Sequence, residues 1–172
     1  MNATMRTTAQ KGSVLIVSLI ILLVLTMIGV TAMGTSSLEE KMAGNSRDRE
    51  LAFQAAEAAL TDAQTFLEGI VATGGFTNVG GLYALTTSPD IQATSTWNAT
   101  NSRAYSATLP NTATQPRYII ELRPTTGGSE TIDLNDPGNS AQAITMFRIT
   151  ARGTGGTNTA VVILQAFYGK IL

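Results

Sequence analysis

Between Lys11 and Glu39 the chain carries no charged residue, and Gly12 to Met33 is built from Val, Leu, Ile and Met with a few small or hydroxyl side chains. A bilayer core takes roughly 20 consecutive apolar residues at helical rise, so this run reads as a membrane span. The helical pattern does not stop at the membrane edge. From Ser36 to about Gly69 there is no proline, and Leu38, Glu39, Glu40, Lys41, Leu51, Ala55, Ala56 and Ala58 favour helix. One continuous helix from Ser13 to near Glu68 would be on the order of 80 Å long at 1.5 Å per residue, half of it clear of lipid. A cleaved secretory signal is the first competitor. Its apolar region is normally about 7 to 15 residues and ends in a small-residue cut site. Here the run is longer, and the break in chemistry at Lys11-Gly12-Ser13 precedes it.

Beyond the apolar run the helix becomes amphipathic. Phe53, Ala56, Leu60, Ala63, Leu67 and Ile70 recur at spacings of three and four, opposite a polar stripe of Arg47, Glu50, Gln54, Glu57, Thr61, Gln64 and Glu68. The apolar set is expected to pack on a sheet. Ala52, Ala55 and Ala59 form a third, smooth strip that suits close approach of neighbouring helices, or is plain surface. Gly29, Gly34 and Gly44 interrupt the helix, each at up to about 1 kcal/mol relative to alanine. The charges Glu39, Glu40, Lys41, Arg47, Asp48 and Arg49 read as a solvated face.

From Gly69 to about Ala113 the composition turns to Gly, Thr, Ser, Asn and Ala, with Asp90 and Arg103 the only charges. No clean periodicity appears, so this is a loop region with room for short strands or a turn of helix. Tyr83, Trp97 and Tyr105 are candidate partner anchors, since aromatics concentrate at contact hot spots, but core cover is the commoner role. The C-terminal part reads as strands. Tyr118, Ile120 and Leu122 alternate with Ile119, Glu121 and Arg123, bracketed by Pro116 and Pro124. Phe147, Ile149 and Ala151 alternate with Arg148, Thr150 and Arg152; Gly153 to Asn158 makes a turn, and Thr159 to Tyr168 is a long apolar strand. The last two strands should form a hairpin, and an antiparallel sheet with one face on the helix gives an α+β architecture.

The residues absent narrow the chemistry. With no histidine and no cysteine, the commonest general base, metal ligands and thiol nucleophile are missing, and no disulfide is available. No paired carboxylates or nucleophile motif stand out, so the chain is expected to be no enzyme and to need no metal or cofactor. Asp133-Leu-Asn-Asp-Pro-Gly-Asn139 superficially resembles a calcium loop, but Pro137 and Ile144 stand where an EF-hand wants an oxygen ligand, and an ordinary turn is expected. Gly153 to Gly156 is a hairpin turn rather than a phosphate cradle, because no helix follows. Losing Arg6 and Lys11 with a leader would take 11 basic residues to 9 against 12 acidic ones, which disfavours a nucleic-acid partner. Arg6 and Lys11 favour a cytoplasmic N-terminus, although Lys41, Arg47 and Arg49 lie within about 15 to 20 residues on the far side. Closest to the membrane, Lys11 faces Glu39 and Glu40, which supports the same orientation.

The basic leader ending Gln10-Lys11-Gly12, followed by a small residue and an apolar helix, resembles the class III signal of type IV pilins. The blocks Val24 to Met33 and Glu39 to Leu60 are similar to the N-terminal region of PilX-type minor pilins, and Phe147 to Leu164 resembles the end of that family. The resemblance implies cleavage by prepilin peptidase between Gly12 and Ser13, with N-methylation of Ser13. Met5 is an alternative start, giving a shorter leader. The fifth residue after the cut is usually glutamate in pilins, where it pairs with a neighbour's N-terminal amine; here it is Val17. Gly34 lies about where related pilins place a helix-distorting proline, so local melting there on assembly is an expectation. Many pilins carry a C-terminal disulfide, from which this chain departs.

The resulting expectation is a type IV pilin-like α+β fold with a leader at 1–12, a transmembrane helix at 13–35, its amphipathic extension at 36–69, a loop region at 70–115 and a sheet at 116–172. The implied function is a minor pilin in a priming or tip complex of the type IV pilus, supporting assembly, twitching motility and adhesion. Implied partners are other minor pilins, the major pilin, prepilin peptidase, membrane lipid and, as a further candidate, a tip adhesin. The chain would sit in the inner membrane with a periplasmic head, then in the pilus. A type II secretion pseudopilin is the alternative; a signal-anchored periplasmic enzyme or sensor is the more distant one.

Overall fold

The computed structural model describes residues 12–126 and 144–172. One helix, α1, runs Ser13–Gly69 without a break at Gly29, Gly34 or Gly44. Five strands follow: β1 (Leu82–Tyr83), β2 (Arg103–Ala104), β3 (Arg117–Thr126), β4 (Ile144–Thr154) and β5 (Val161–Ile171), with 3-10 turns at Thr73–Gly75 and Thr94–Trp97. The chain divides into two units, one up to Gly44 and one from Asn45 to Leu172.

In the first unit the large apolar side chains from Val14 onward are uncovered, from 47% exposed at Val24 to 76% at Met33, and none of the described residues buries them. The hydroxyls within the run fold back on their own helix. Ser18 donates to the Leu15 carbonyl (2.9 Å), Thr26 to Leu23 (2.7 Å), Thr31 to Met27 (2.8 Å) and Thr35 to Thr31 (3.1 Å). Such bonds satisfy a polar group where water is absent.

In the second unit the sheet order is β1-β3-β4-β5, with β2 also pairing β3. β4 and β5 form the expected hairpin, in unbroken register from Ile144↔Ile171 to Thr154↔Val161. The sheet is mixed rather than purely antiparallel, because β1 runs parallel to β3 through Leu82↔Ile120 and Tyr83↔Glu121. The reason is local: the free edge of β3 is closed piecemeal, by β2 at Tyr118 and Arg117 and then by β1. Gly81 makes this join, with φ +80 and its carbonyl accepting from Ile120 N–H at 2.7 Å. Pro124 does not bracket β3 but lies inside it, where the register with β4 shifts between Arg123 and Thr126. A residue lacking an N–H is tolerated at such an irregularity.

The helix packs on the sheet with Ala59, Ala63 and Leu67 against Tyr118, Ile120, Phe147, Ile149 and Ala151, closed by Phe76. The Phe76 and Phe147 rings sit 5.6 Å apart at 35°. One expectation about packing needs correction. The alanine strip is not a surface for neighbouring helices: Ala52, Ala55 and Ala59 are buried beside Ala56 and Ala63 within this unit, and Phe53 is the member of the expected packing set left 39% exposed. The cause is a close approach, since a Cβ at Gly153 would overlap the Ala52 carbonyl oxygen and the Ala56 nitrogen. The outer face of β3 is covered as well. Ile119 is buried with Tyr83 and Trp97, and Ile91 and Ile163 pack against that second small core. The stretch read as loop thus covers the second face of the sheet.

Candidate assembly surface

The residues expected to matter at the N-terminus lie at the start of α1. Gly12 is exposed, with nothing within 4 Å of where its Cβ would be, and Ser13 opens the helix. Val17 lies about one turn further on, 54% exposed, and offers only an aliphatic side chain. From Ser13 to Leu38 the helix carries no charge, and in its most apolar 18-residue window the mean hydropathy is 3.0 with none of it buried. The physical options for such a surface are lipid or other apolar helices, because exposing it to water forfeits the free energy of burying roughly 20 side chains.

The head has polar contacts that sequence reasoning did not single out. Glu121, 1% exposed on β3, is held by Arg148 on β4 through Nε to Oε2 at 2.7 Å and Nη2 to Oε1 at 2.5 Å. Ser88 Oγ donates to Glu121 Oε1 (2.9 Å) and accepts from Arg148 Nη2 (2.9 Å), while Arg123 Nη2 approaches at 3.7 Å. This fork ties the 84–97 segment to the sheet. Arg148 lies directly opposite Glu121 in the β3–β4 register, so alternation plus opposite charge was the available signal. Burial raises the Tyr83 phenol, and the Glu121 charge raises it further; its hydroxyl donates to the Asn101 carbonyl at 2.8 Å. Burial also lowers Arg117, whose Nε and Nη2 donate to Ser102 Oγ and O, each at 2.6 Å.

Three further contacts fasten α1 to the rest of the head. Asp48 accepts from the Thr157 hydroxyl and, at 3.2 Å, its N–H, and the hydroxyl bond is the largest influence holding this carboxyl below its ordinary value. Asp62 accepts from Ser106 Oγ at 2.6 Å and N at 3.2 Å. Lys170 Nζ donates to the carbonyls of Leu67 (3.1 Å), Glu68 (2.6 Å) and Ile70 (2.7 Å). The last turn of α1 has no basic residue of its own, so a lysine from β5 satisfies carbonyls left open at a helix C-terminus. Asp48 therefore leaves the solvated charge cluster in which it was placed.

Two of the three aromatic candidates, Tyr83 and Trp97, resolve as core. Trp97 is 8% exposed and its Nε1 donates to the Ile91 carbonyl at 3.0 Å; Tyr83 is 6% exposed, and Tyr105 is half-buried. Among the described residues there is no group of three His, Cys, Asp or Glu able to hold a metal. Asp133 to Asn139 lies outside the described residues.

Against known proteins, a family model for the C-terminal part of the type IV pilus assembly protein PilX matches residues 52–170, and a PilX N-terminal model matches residues 11–61. Among curated proteins and solved structures nothing matches the chain.

Proposed function

We propose a function from one premise: this chain belongs to the PilX family of type IV pilus assembly proteins. It is a minor pilin, trimmed between Gly12 and Ser13 and methylated on the Ser13 amine. Before assembly it is held in the inner membrane by α1, N-terminus in the cytoplasm and head in the periplasm. It then enters the pilus at low copy with other minor pilins and the major pilin, in a priming or tip complex that supports twitching motility and adhesion. The observation that carries this reading is the uncovered, charge-free first half of α1, which suits lipid first and a bundle of like helices later.

Val17 supports a place at the end of the fibre. A carboxylate at that depth costs roughly 2.5 to 3.5 kcal/mol in lipid, a cost that pairing with a neighbour's amine offsets. Valine has no such cost and makes no such pair, as suits a subunit with one contact fewer. Gly34, which is uncrowded and in helix here, remains the proposed point of local melting on assembly. The test is the mass of the mature N-terminus together with a deletion strain. Loss of residues 1–12 with one added methyl, and few surface pili without the gene, are expected. An intact leader, or normal piliation and twitching in the deletion strain, would overturn the reading.

A further inference from the structure

The two edges of the sheet are treated differently. The β3 edge is closed between Arg117 and Glu121 by β1 and β2, whereas among the described residues β5 pairs only with β4. Gly155 N–H donates to the Ala160 carbonyl at 2.9 Å, which sets the phase of the hairpin. Alternate residues in an antiparallel ladder turn both backbone groups away from the partner strand; on β5 these are Val161, Ile163, Gln165, Phe167, Gly169 and Ile171. Natural edge strands are blunted by proline, outward charge or a bulge. β5 has no proline, its register with β4 is unbroken, and its single charge, Lys170, is engaged by α1 carbonyls. Phe167 is 66% exposed and Ile171 51%. Beside α1, a hollow of about 340 Å³ is lined by Ser46, Arg49, Glu50, Phe53 and Val162.

We propose that the outer edge of β5 receives an extended, mainly apolar strand from a different subunit of the same fibre, an inference that rests on the fibre reading above. The added strand pairs with the outward N–H and C=O groups. One set of its side chains covers Phe167 and Ile171, and the other enters the hollow under Phe53. A second copy of this chain does not fit. An antiparallel β5–β5 pair has its two-fold axis normal to the sheet and reverses the part of α1 from Asn45 to Gly69 that packs on that sheet, so the two copies would offer this helix to the fibre in opposite senses. A symmetric parallel pair sets each N–H against its own equivalent. Strand pairing of this length buries less than the roughly 1,200 Å² of a stable free-standing complex. It therefore belongs inside an assembly whose helices supply the remaining contact.

The test uses the full chain in piliated cells. The protein has no cysteine, so Phe167→Cys can be labelled uniquely with benzophenone maleimide and photolysed in place. Adducts to an extended segment of a different pilin subunit are expected. Adding Gln165→Pro, which deletes one outward N–H, should lower adduct yield about tenfold, while Gln165→Ala, which keeps it, should not. If the protein is present in sheared fibres without adducts, is joined only to its own copies, or responds equally to both substitutions, the edge proposal falls and the fibre reading stands. Absence of the protein from sheared fibres overturns both.

Discussion

Gly153 shows how a single missing side chain sets the distance between helix and sheet. Because its Cβ would overlap backbone atoms of Ala52 and Ala56, the conflict cannot be relieved by a rotamer change. Gly153→Ala should therefore destabilise the head by about 3 kcal/mol, at the upper end for overpacking. Urea unfolding of detergent-solubilised protein, followed by the fluorescence of the single Trp97, measures it. Asp48 carries a pH dependence. Its native carboxyl lies below the ordinary 3.8 because the Thr157 hydroxyl and N–H favour the ionised form. The unfolded chain then binds the proton at higher pH than the native one. The contribution is fully present above 3.8 and is lost as pH falls through the lower native value. Thermal midpoints across this acid range should drop more steeply for the wild type than for Asp48→Asn.

At the scale of elements, β3 departs furthest from its pattern. Its alternation suggests one wet face, yet Tyr118, Ile119, Ile120 and Glu121 are all buried, because the 82–97 segment folds back over the outer side. Glu121 is then accommodated through Arg148 and Ser88, with Arg123 close by. Removing one member of a buried pair leaves an uncompensated charge, whereas replacing both with apolar residues is often neutral. Glu121→Gln should cost about 3 kcal/mol, while Glu121→Leu combined with Arg148→Met should stay within about 1 kcal/mol of wild type, measured by the same unfolding curves. Equal losses in the two variants would show that the pair does not act as a unit.

For the whole molecule, the buried residues among those described all fall in the unit from Asn45 to Leu172, while the large apolar side chains from Val14 to Met33 are uncovered. Residues 45–172 expressed alone should be water-soluble and unfold cooperatively, with Trp97 reporting a single transition. The full chain should need detergent or lipid. A truncated head that aggregates, or a full chain soluble without detergent, would contradict this division of labour.

The sequence by itself determined the long helix, its uncovered first half, the β4–β5 hairpin and the α+β class, because these follow from short-range periodicity and from charge excluded over a long stretch. Only the tertiary structure decided how far round the helix the buried strip extends. Periodicity placed Ala56, Ala63 and Leu67 in the core, with Leu60 and Ile70 against it, as found; it also placed Phe53 there, which stays exposed, and it missed Ala52, Ala55 and Ala59, which are buried because Gly153 permits an approach that large side chains would prevent. The same holds for Glu121 with Arg148 and for Lys170 on the end of α1, partners brought together by strand register and helix packing across distances in sequence that no local pattern records.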